Sequence, residues 1–345
     1  MILEKRISAF VRLGEILRDA LTDYKSEYYE EVKELINRQQ YKNGWFTPEN
    51  VRLSLESIAN ELTEDLISKW IAKYPFHTSN ELKKNVALIM AGNIPLAGFN
   101  DFISVLVSGN MAIIKSDDKD SDLIKYISDL LIKIEGEFED YICFPEGLLP
   151  KFDAIIVAPQ NKGTHFYEQY FKKYPNIIRK KRYSVAILDG TENDYELSAL
   201  GNDVFNYFGL SSKNVSKIFI PNGYDLKHLL DVWQPYHDII YHVKYGNNYD
   251  FNKSVYLVNK VDFLDNGFLL IKEDYDLISP ISVLFTEKYT YNDDIKKSIS
   301  SNNDRIHHIV GHGHIPFGES HRPILWDYED NIDTLDFLLK KIYNN

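Results

Sequence analysis

A single cysteine, Cys143, occurs among the 345 residues. No internal disulfide can form, so the fold must rest on its apolar core. A lone thiol also fits a reducing compartment, and the cytoplasm is the expected location. Long hydrophobic runs are missing too. The apolar stretches fall well short of the roughly 20 residues a spanning helix needs, so no membrane insertion is expected. The opening MILEKRISAFVRLGEILRDAL scatters charge through its apolar positions and lacks a small-residue cleavage site, unlike a secretory leader. Its Ile7, Phe10, Val11, Leu13 and Leu17 predict an amphipathic helix instead. Basic excess is absent: 39 Lys and Arg against 51 Asp and Glu leave a formal net charge of −12. Such a surface repels nucleic acid, so no nucleic-acid partner is expected, and an anionic ligand must be met by local charge. Internal repeats and low-complexity linkers are lacking, and the length suits two domains.

What is present is clearest from Asn85 to Ser121. Val86 to Met90 is an apolar run of strand length. Phe99, Phe102, Ile103, Leu106 and Val107 recur at helical spacing, and Met111 to Ile114 is a second strand-length run. This βαβ unit belongs to a parallel sheet, whose ligands sit at the carboxyl ends of strands. Gly92-Asn93-Ile94-Pro95 follows the first strand and Lys115-Ser116 the second, so the polar residues fall on the two turns that would face a ligand.

The remainder alternates in the same manner. Thr47-Pro48-Glu49 is a helix start, with Thr as cap and Pro at the first helical position. Val51, Leu55, Ile58, Leu62 and Leu66 follow at helical spacing. A helix is expected over about 120–135, then strands at Tyr141 to Phe144 and Ala154 to Val157, a helix over Thr164 to Tyr174 and a strand over Ser184 to Leu188. A second αβ block begins near residue 195, with a helix to Phe208, a turn at Gly209 to Ser212 and a strand over Ser216 to Ile220. The expected organisation is a helical extension over 1–80, an αβ domain over 81–192, a second over 193–310, and a C-terminal segment over 311–345.

Several stretches together resemble one family. WFTPENV (45–51), AGNIPLAGFNDF (91–102), FDAIIVAPQN (152–161), YFKKYPNIIRKKRYSVAIL (170–188), YFGLSSKNVSK (207–217) and SPISVLF (279–285) are similar to LuxC-type acyl-CoA reductases, a compact branch of the aldehyde dehydrogenase superfamily. PFGESHRPILWDY (316–328) resembles that superfamily's late PFG element. The resemblance runs over nearly the whole chain. It implies an aldehyde dehydrogenase-like α/β fold with two αβ domains, parallel or mixed sheets and an N-terminal helical extension. It also implies reduction of an acyl-CoA thioester to an aldehyde with NADPH or NADH through an S-acyl enzyme. A homodimer is the assembly usual in the superfamily.

The resemblance also implies roles for single residues. Asn93, after Gly92, matches a turn asparagine that binds the developing oxyanion; read alone, it better suits a cap on a helix beginning near Pro95, and the other motifs tip it to the oxyanion role. Lys115, Ser116 and Asp118 match a Lys-x-x-Glu segment that holds the adenosine ribose, although a solvated charged loop has the same composition. Pro159-Gln160 stands where relatives carry Gly-Ser against a cofactor phosphate; Pro has no N–H to offer and Gln is bulkier. Asp276 falls near a carboxylate used on the nicotinamide ribose. Ser212 occupies the position of the nucleophilic cysteine. A serine hydroxyl lacks a thiol's accessible pKa, and its acyl ester is a poorer hydride acceptor. The form given is therefore expected to be nearly inactive as a reductase unless a base such as His approaches Ser212. The alternative is a non-catalytic acyl-CoA or nucleotide-binding homologue that partners another enzyme. The water-activating Glu of acid-forming dehydrogenases has no counterpart at Arg182 to Ala186, which suits a CoA-linked reaction.

Three further features divide between chemistry and structure. Cys143 in Tyr141-Ile142-Cys143-Phe144 reads as a buried, inert thiol. Arg179-Lys180-Lys181-Arg182 suits a phosphate clamp, or, slightly better, a solvated loop. His307, His308, His312 and His314 are dense enough to suggest a metal. No Cys, Asp or Glu at a recognisable spacing completes such a set, so no metal is expected and a mobile Gly/His loop is the better reading.

Overall fold

The segment Asn85–Ile89 forms strand β1, and its partner Met111–Lys115 forms β2, parallel to it and joined through helix α5, Phe99–Val107. The structure is a computed structural model that describes residues 1–76, 83–117, 120–158, 164–322 and 324–343. Two compact units divide the chain, one of residues 1–180 with 323–345 and the other of residues 181–322.

In the first unit, four helices precede the sheet: α1 (Leu3–Thr22), α2 (Tyr29–Lys42), α3 (Pro48–Glu61) and α4 (Glu64–Ile71). Thr47 caps α3 by accepting from the Asn50 amide, with Pro48 at the first helical position. The single helical run expected to Leu66 breaks at Leu62, because the Thr63 hydroxyl takes the Leu66 amide and starts α4 afresh. Phe10, Leu13 and Leu17 of α1 are fully buried. Gly14 beside them permits a close approach, since a Cβ there would lie 2.3 Å from the Leu62 carbonyl oxygen.

The first sheet is completed by β3 (Ile142–Cys143), β4 (Ala154–Val157) and β5 (Asn176–Ile178), with α6 (Ser121–Ile134) leading into β3 and α7 (Thr164–Phe171) into β5. All five strands are parallel in the order β3-β2-β1-β4-β5. The chain builds outward from β1 on one side, then returns to its other side with β4. The β1/β4 boundary is therefore the topological switch point, where open α/β sheets bind ligands. Late residues belong to this unit as well. The Trp70 indole donates to the Tyr328 hydroxyl at 2.7 Å, and Arg179 pairs with Asp101 and donates to the Thr334 hydroxyl.

The second unit has strands β6 (Tyr183–Ile187), β7 (Val215–Pro221), β8 (Leu264–Asp265), β9 (Leu270–Glu273), β10 (Val283–Tyr289) and β11 (Ile306–Val310). Helix α8 (Asp194–Phe205) links β6 to β7; α9 (Leu226–Val232) and α10 (Val243–Val258) follow β7, and α11 (Asn292–Ser301) precedes β11. The order is β11-β6-β7-β10-β9-β8, parallel except for the β8/β9 edge pair. The strand expected at Ser184 to Leu188 thus lies beside β7 and β11, not in the first sheet. No helix among the described residues is long and apolar enough to cross a membrane.

Candidate active site

Gly92, Asn93, Lys115 and Ser116 all lie at the carboxyl edge of the first sheet, within the first unit. The Met90 amide donates to the Lys115 carbonyl at 3.1 Å, which ties the exit of β1 to the end of β2. Lys115 is exposed, with its ammonium on the Gly147 carbonyl at 3.1 Å, and Ser116 is half-buried. Asn93 is exposed. It does not cap α5, whose cap position is Gly98, because Ile94 to Gly98 forms an intervening turn before the helix. Asp118, Pro159 and Gln160 lie outside the described residues.

Ser212 and Asp276 belong to the second unit. Ser212 precedes β7, in a turn preceded by three successive left-handed residues: Tyr207 at φ 52°, Phe208 at φ 59° and Gly209 at φ 76°. Glycine takes this conformation freely, whereas each of the two aromatic residues is strained by about 1–2 kcal/mol. Their rings are held: Tyr207 meets His321 edge-on at 5.2 Å, and Phe208 stacks on His242 at 4.1 Å. Asn214 does the rest. Its side chain is 3% exposed in a turn of small polar residues. Its amide donates to the carbonyls of Asp203, Val204 and Asn206, and its oxygen accepts from the Ser211 amide at 2.8 Å. The Lys213 amide donates to the Ser211 hydroxyl at 3.1 Å.

A second layer supports Asn214. His321 lies 3.0 Å from its amide nitrogen through Nε2, and Asp203 on α8 accepts from the amides of Gly318 and Ser320 at 2.6 and 3.0 Å. The PFG segment is thereby fastened to α8 and to the Ser212 turn. Burial holds the His321 pKa down at about 3, so the ring is neutral, and burial raises that of Asp203. Ser184 of β6 completes the frame. Its hydroxyl donates to the Ser212 carbonyl at 3.1 Å and accepts from the His308 amide at 3.2 Å. The Ser212 hydroxyl itself is not hydrogen-bonded to an imidazole or carboxylate among the described residues. Asp276 is exposed; the Ser216 hydroxyl donates to the neighbouring Leu277 carbonyl at 2.6 Å and draws that segment to the start of β7.

Three readings of the sequence change here. Cys143 is half-buried, not buried, because β3 is a short edge strand. The basic run is neither a clamp nor wholly solvated. Arg179 is buried against Asp101, Arg182 is buried against the carbonyls of Asn303 and Asp304, and only Lys180 and Lys181 face solvent. The Gly/His loop is pinned, since His312 donates to Asp189 at 2.9 Å and to Glu196 at 3.1 Å. The Asp189 carboxylate foremost, then Glu196, raises the His312 pKa to about 9. The Glu192 carboxylate also stands close, with ligand-type atoms of Asp189, Glu192 and His312 within 4.8 Å of one another. Asn214, Asp203, His321 and Asp120 (below) escaped sequence reasoning, since each acts on backbone groups that spacing does not reveal.

No protein-family model matches the chain, and no curated protein matches it in sequence. Solved structures do match. Aldehyde dehydrogenase 21 from Physcomitrella patens, in complex with the reaction product succinate, superposes with a TM-score of 0.64 at 12% identity, over 99% of this chain and 85% of that one. The P. syringae indole-3-acetaldehyde dehydrogenase AldA, in complex with NAD+ and IAA, gives 0.62 at 10% identity, over 86% and 70%. The NAD+ complex of an aldehyde dehydrogenase from Bacillus cereus gives 0.60 at 10% identity, over 90% and 72%. The chain has the aldehyde dehydrogenase-like fold. On that fold, the Gly92–Gly98 turn stands at a parallel-sheet switch point, and residue 212 stands in a held turn at the amino end of a strand.

Proposed function

We propose that this chain is built on the plan of a nicotinamide-dependent acyl-CoA reductase of the LuxC type, with its nucleophile position occupied by serine. The observation that carries the reading is the turn at 207–214: a strained backbone, fixed by Asn214, that presents a half-buried residue 212. Strain that the surroundings over-determine is common where a side chain must be aimed. The fold supports the reading, and so does the resemblance in YFGLSSKNVSK.

The donor set at the first sheet fits a nicotinamide dinucleotide. Lys115 and Ser116 offer an ammonium and a hydroxyl at the end of β2, where ribose hydroxyls could be held, and Gly92 follows β1 at the switch point. Asp118, Pro159, Gln160 and Asp276 are the further positions assigned to it. A bound NADH or NADPH would supply hydride to the acyl carbon. Asn93 would donate to the carbonyl oxygen as negative charge develops there. A thiolate at 212 would attack the thioester, releasing CoA as its thiolate and forming a new thioester. After reduction, collapse frees the aldehyde and restores the thiolate. The balance is one acyl-CoA, one reduced cofactor and one proton giving aldehyde, free CoA and oxidised cofactor.

Without an activating base, the Ser212 hydroxyl would be a poor nucleophile for the first step at neutral pH. The absence of a hydrogen-bonded base at its hydroxyl among the described residues favours a second reading, a non-catalytic acyl-CoA or nucleotide-binding homologue that serves another enzyme. One comparison separates the two. This chain and its Ser212→Cys variant are mixed with NADH or NADPH and a panel of acyl-CoAs. Cofactor oxidation only in the variant supports the reductase plan. Cofactor binding without turnover in either form supports the second reading, and no nucleotide binding by calorimetry in either form defeats both.

A further inference from the structure

The turn between β1 and α5 is gripped from three directions by buried polar side chains. Asn43, just past α2, donates to the Gly92 carbonyl at 3.4 Å. Ser54 of α3 donates to the Pro95 carbonyl at 2.6 Å. Asp120, ahead of α6, accepts the Leu96 amide at 3.2 Å. All three are less than a tenth exposed. Leu96 is left-handed at φ 57°, a conformation that a non-glycine residue holds only at a cost.

Asp120 is the informative member. It stands at the cap position of α6, where an Asp ordinarily accepts amides of its own helix, yet its side chain makes no capping bond. One oxygen serves Leu96, and the other is buried without a hydrogen-bond partner among the described residues. Burial raises its pKa well above the usual aspartate value, because desolvation disfavours the charged form. A buried, half-satisfied carboxyl that forgoes its cap is a poor device for stability alone. Its one bond fixes the strained residue of the turn, and Asn93 lies between the Gly92 and Pro95 carbonyls that the other two side chains hold.

We propose that Asp120, Ser54 and Asn43 are positioning residues that hold the Gly92–Leu96 backbone so that the Asn93 amide is aimed at the reacting carbonyl. This rests on the oxyanion role proposed for Asn93. It gives the helices before the sheet a part in the chemistry, since α2 and α3 bring two of the three anchors.

Two measurements test it, and only one depends on the reductase reading. The first follows amide hydrogen exchange of residues 91–98 in this chain. Asp120→Ala should speed exchange there at least tenfold. Asp120→Asn, which keeps an oxygen acceptor for the Leu96 amide, should restore it to within about twofold. The second uses the Ser212→Cys background. There Asp120→Ala should lower kcat about 10- to 100-fold, a fraction of the loss typical for removing an oxyanion donor, while KM for acyl-CoA moves less than threefold. Asp120→Asn should recover the rate, and adding Asp120→Ala to Asn93→Ala should cost nothing further. Ser54→Ala, which removes one hydroxyl only, should show the same pattern more weakly and stands in if Asp120→Ala fails to fold. Unchanged exchange in the Asp120 and Ser54 variants overturns the proposal outright. Faster exchange with an unchanged kcat, or additive losses with Asn93→Ala, overturns its catalytic part. A Ser212→Cys parent without turnover overturns the reductase reading and that catalytic part together, while the exchange data still decide whether these residues hold the turn.

Discussion

Replacing Asn214 by Ala should be among the costliest single changes in the second unit. The side chain is 3% exposed and makes bonds in both directions. Its loss strands the Ser211 amide and leaves the Asn206 carbonyl without that donor, each in a place that solvent reaches poorly. A buried group left unsatisfied costs about 1–3 kcal/mol, so the expected total is about 2–4 kcal/mol. The strain at Tyr207 and Phe208 adds nothing new, but it loses its restraint, and the turn should relax. For a domain of this size, each kcal/mol lowers the midpoint by roughly 2–4 °C. Scanning calorimetry should therefore show the transition of the second unit falling by about 5–15 °C, with that of the first unit in place. Asn214→Asp keeps the acceptor for Ser211 but loses the donors and buries a charge, so it should do no better. A fall below about 2 °C for Asn214→Ala would refute the claim that this side chain holds the turn.

Two other outcomes follow from the structure. His312 has its pKa raised from 6.5 to about 9, so its contribution is whole below pH 6.5 and is lost as pH climbs through about 9. Asp189 is lowered from 3.8 to about 2, chiefly by the Thr191 hydroxyl, so its share is whole above pH 3.8 and lost as pH falls through about 2. Both side chains are some 40% exposed, which limits the pair to about 1 kcal/mol or less after solvent screening. His312→Ala should lower the midpoint by about 2 °C at pH 6 and leave it unchanged at pH 10; an equal effect at both values would rule out the ion pair. Gly14→Ala places a methyl 2.3 Å from the Leu62 carbonyl oxygen and 2.6 Å from its Cβ. Overpacking of this kind costs about 1–3 kcal/mol, and unchanged chemical denaturation would show that α1 does not sit so close.

The strands and helices were legible where period and composition agreed. Ala154–Val157 and the Phe99–Val107 helix stand where their apolar spacing puts them, and Met111–Lys115 differs from expectation by one residue. Such runs are local, and burial of a face at period 2 or 3.6 leaves a trace in any sequence. The partner of Tyr183–Ile187 was not legible in that way. Its register with β7 and β11 depends on residues 31 to 124 positions away, and an apolar strand pairs with any apolar neighbour. Arg179 and Arg182 misled for a related reason. A charge run looks solvated until the carboxylate and carbonyls that meet it, from Asp101, Asn303 and Asp304, are placed beside it. The site residues divide along the same line. Asn93 and Ser212 stood out by motif, whereas Asp120, Asp203, Asn214 and His321 bind backbone atoms and carry no spacing of their own.

That division bears on how cleanly residue 212 can be tested. The backbone of its turn is set by Asn214, by the Ser184 hydroxyl on the Ser212 carbonyl, and by the packed rings of Tyr207 and Phe208. The Ser212 hydroxyl takes no part in this frame, having no hydrogen bond to a described residue. Exchanging its oxygen for sulfur therefore removes no anchor and leaves the left-handed run supported as before. Ser212→Cys should shift the thermal midpoint by about 1 °C or less, since a half-buried, volume-tolerant exchange away from any bond costs only a few tenths of a kcal/mol. Any gain of turnover can then be assigned to the thiolate and not to a remodelled turn. A large shift in the midpoint would instead mean that the hydroxyl is part of the frame, and the comparison of the two forms would lose its force.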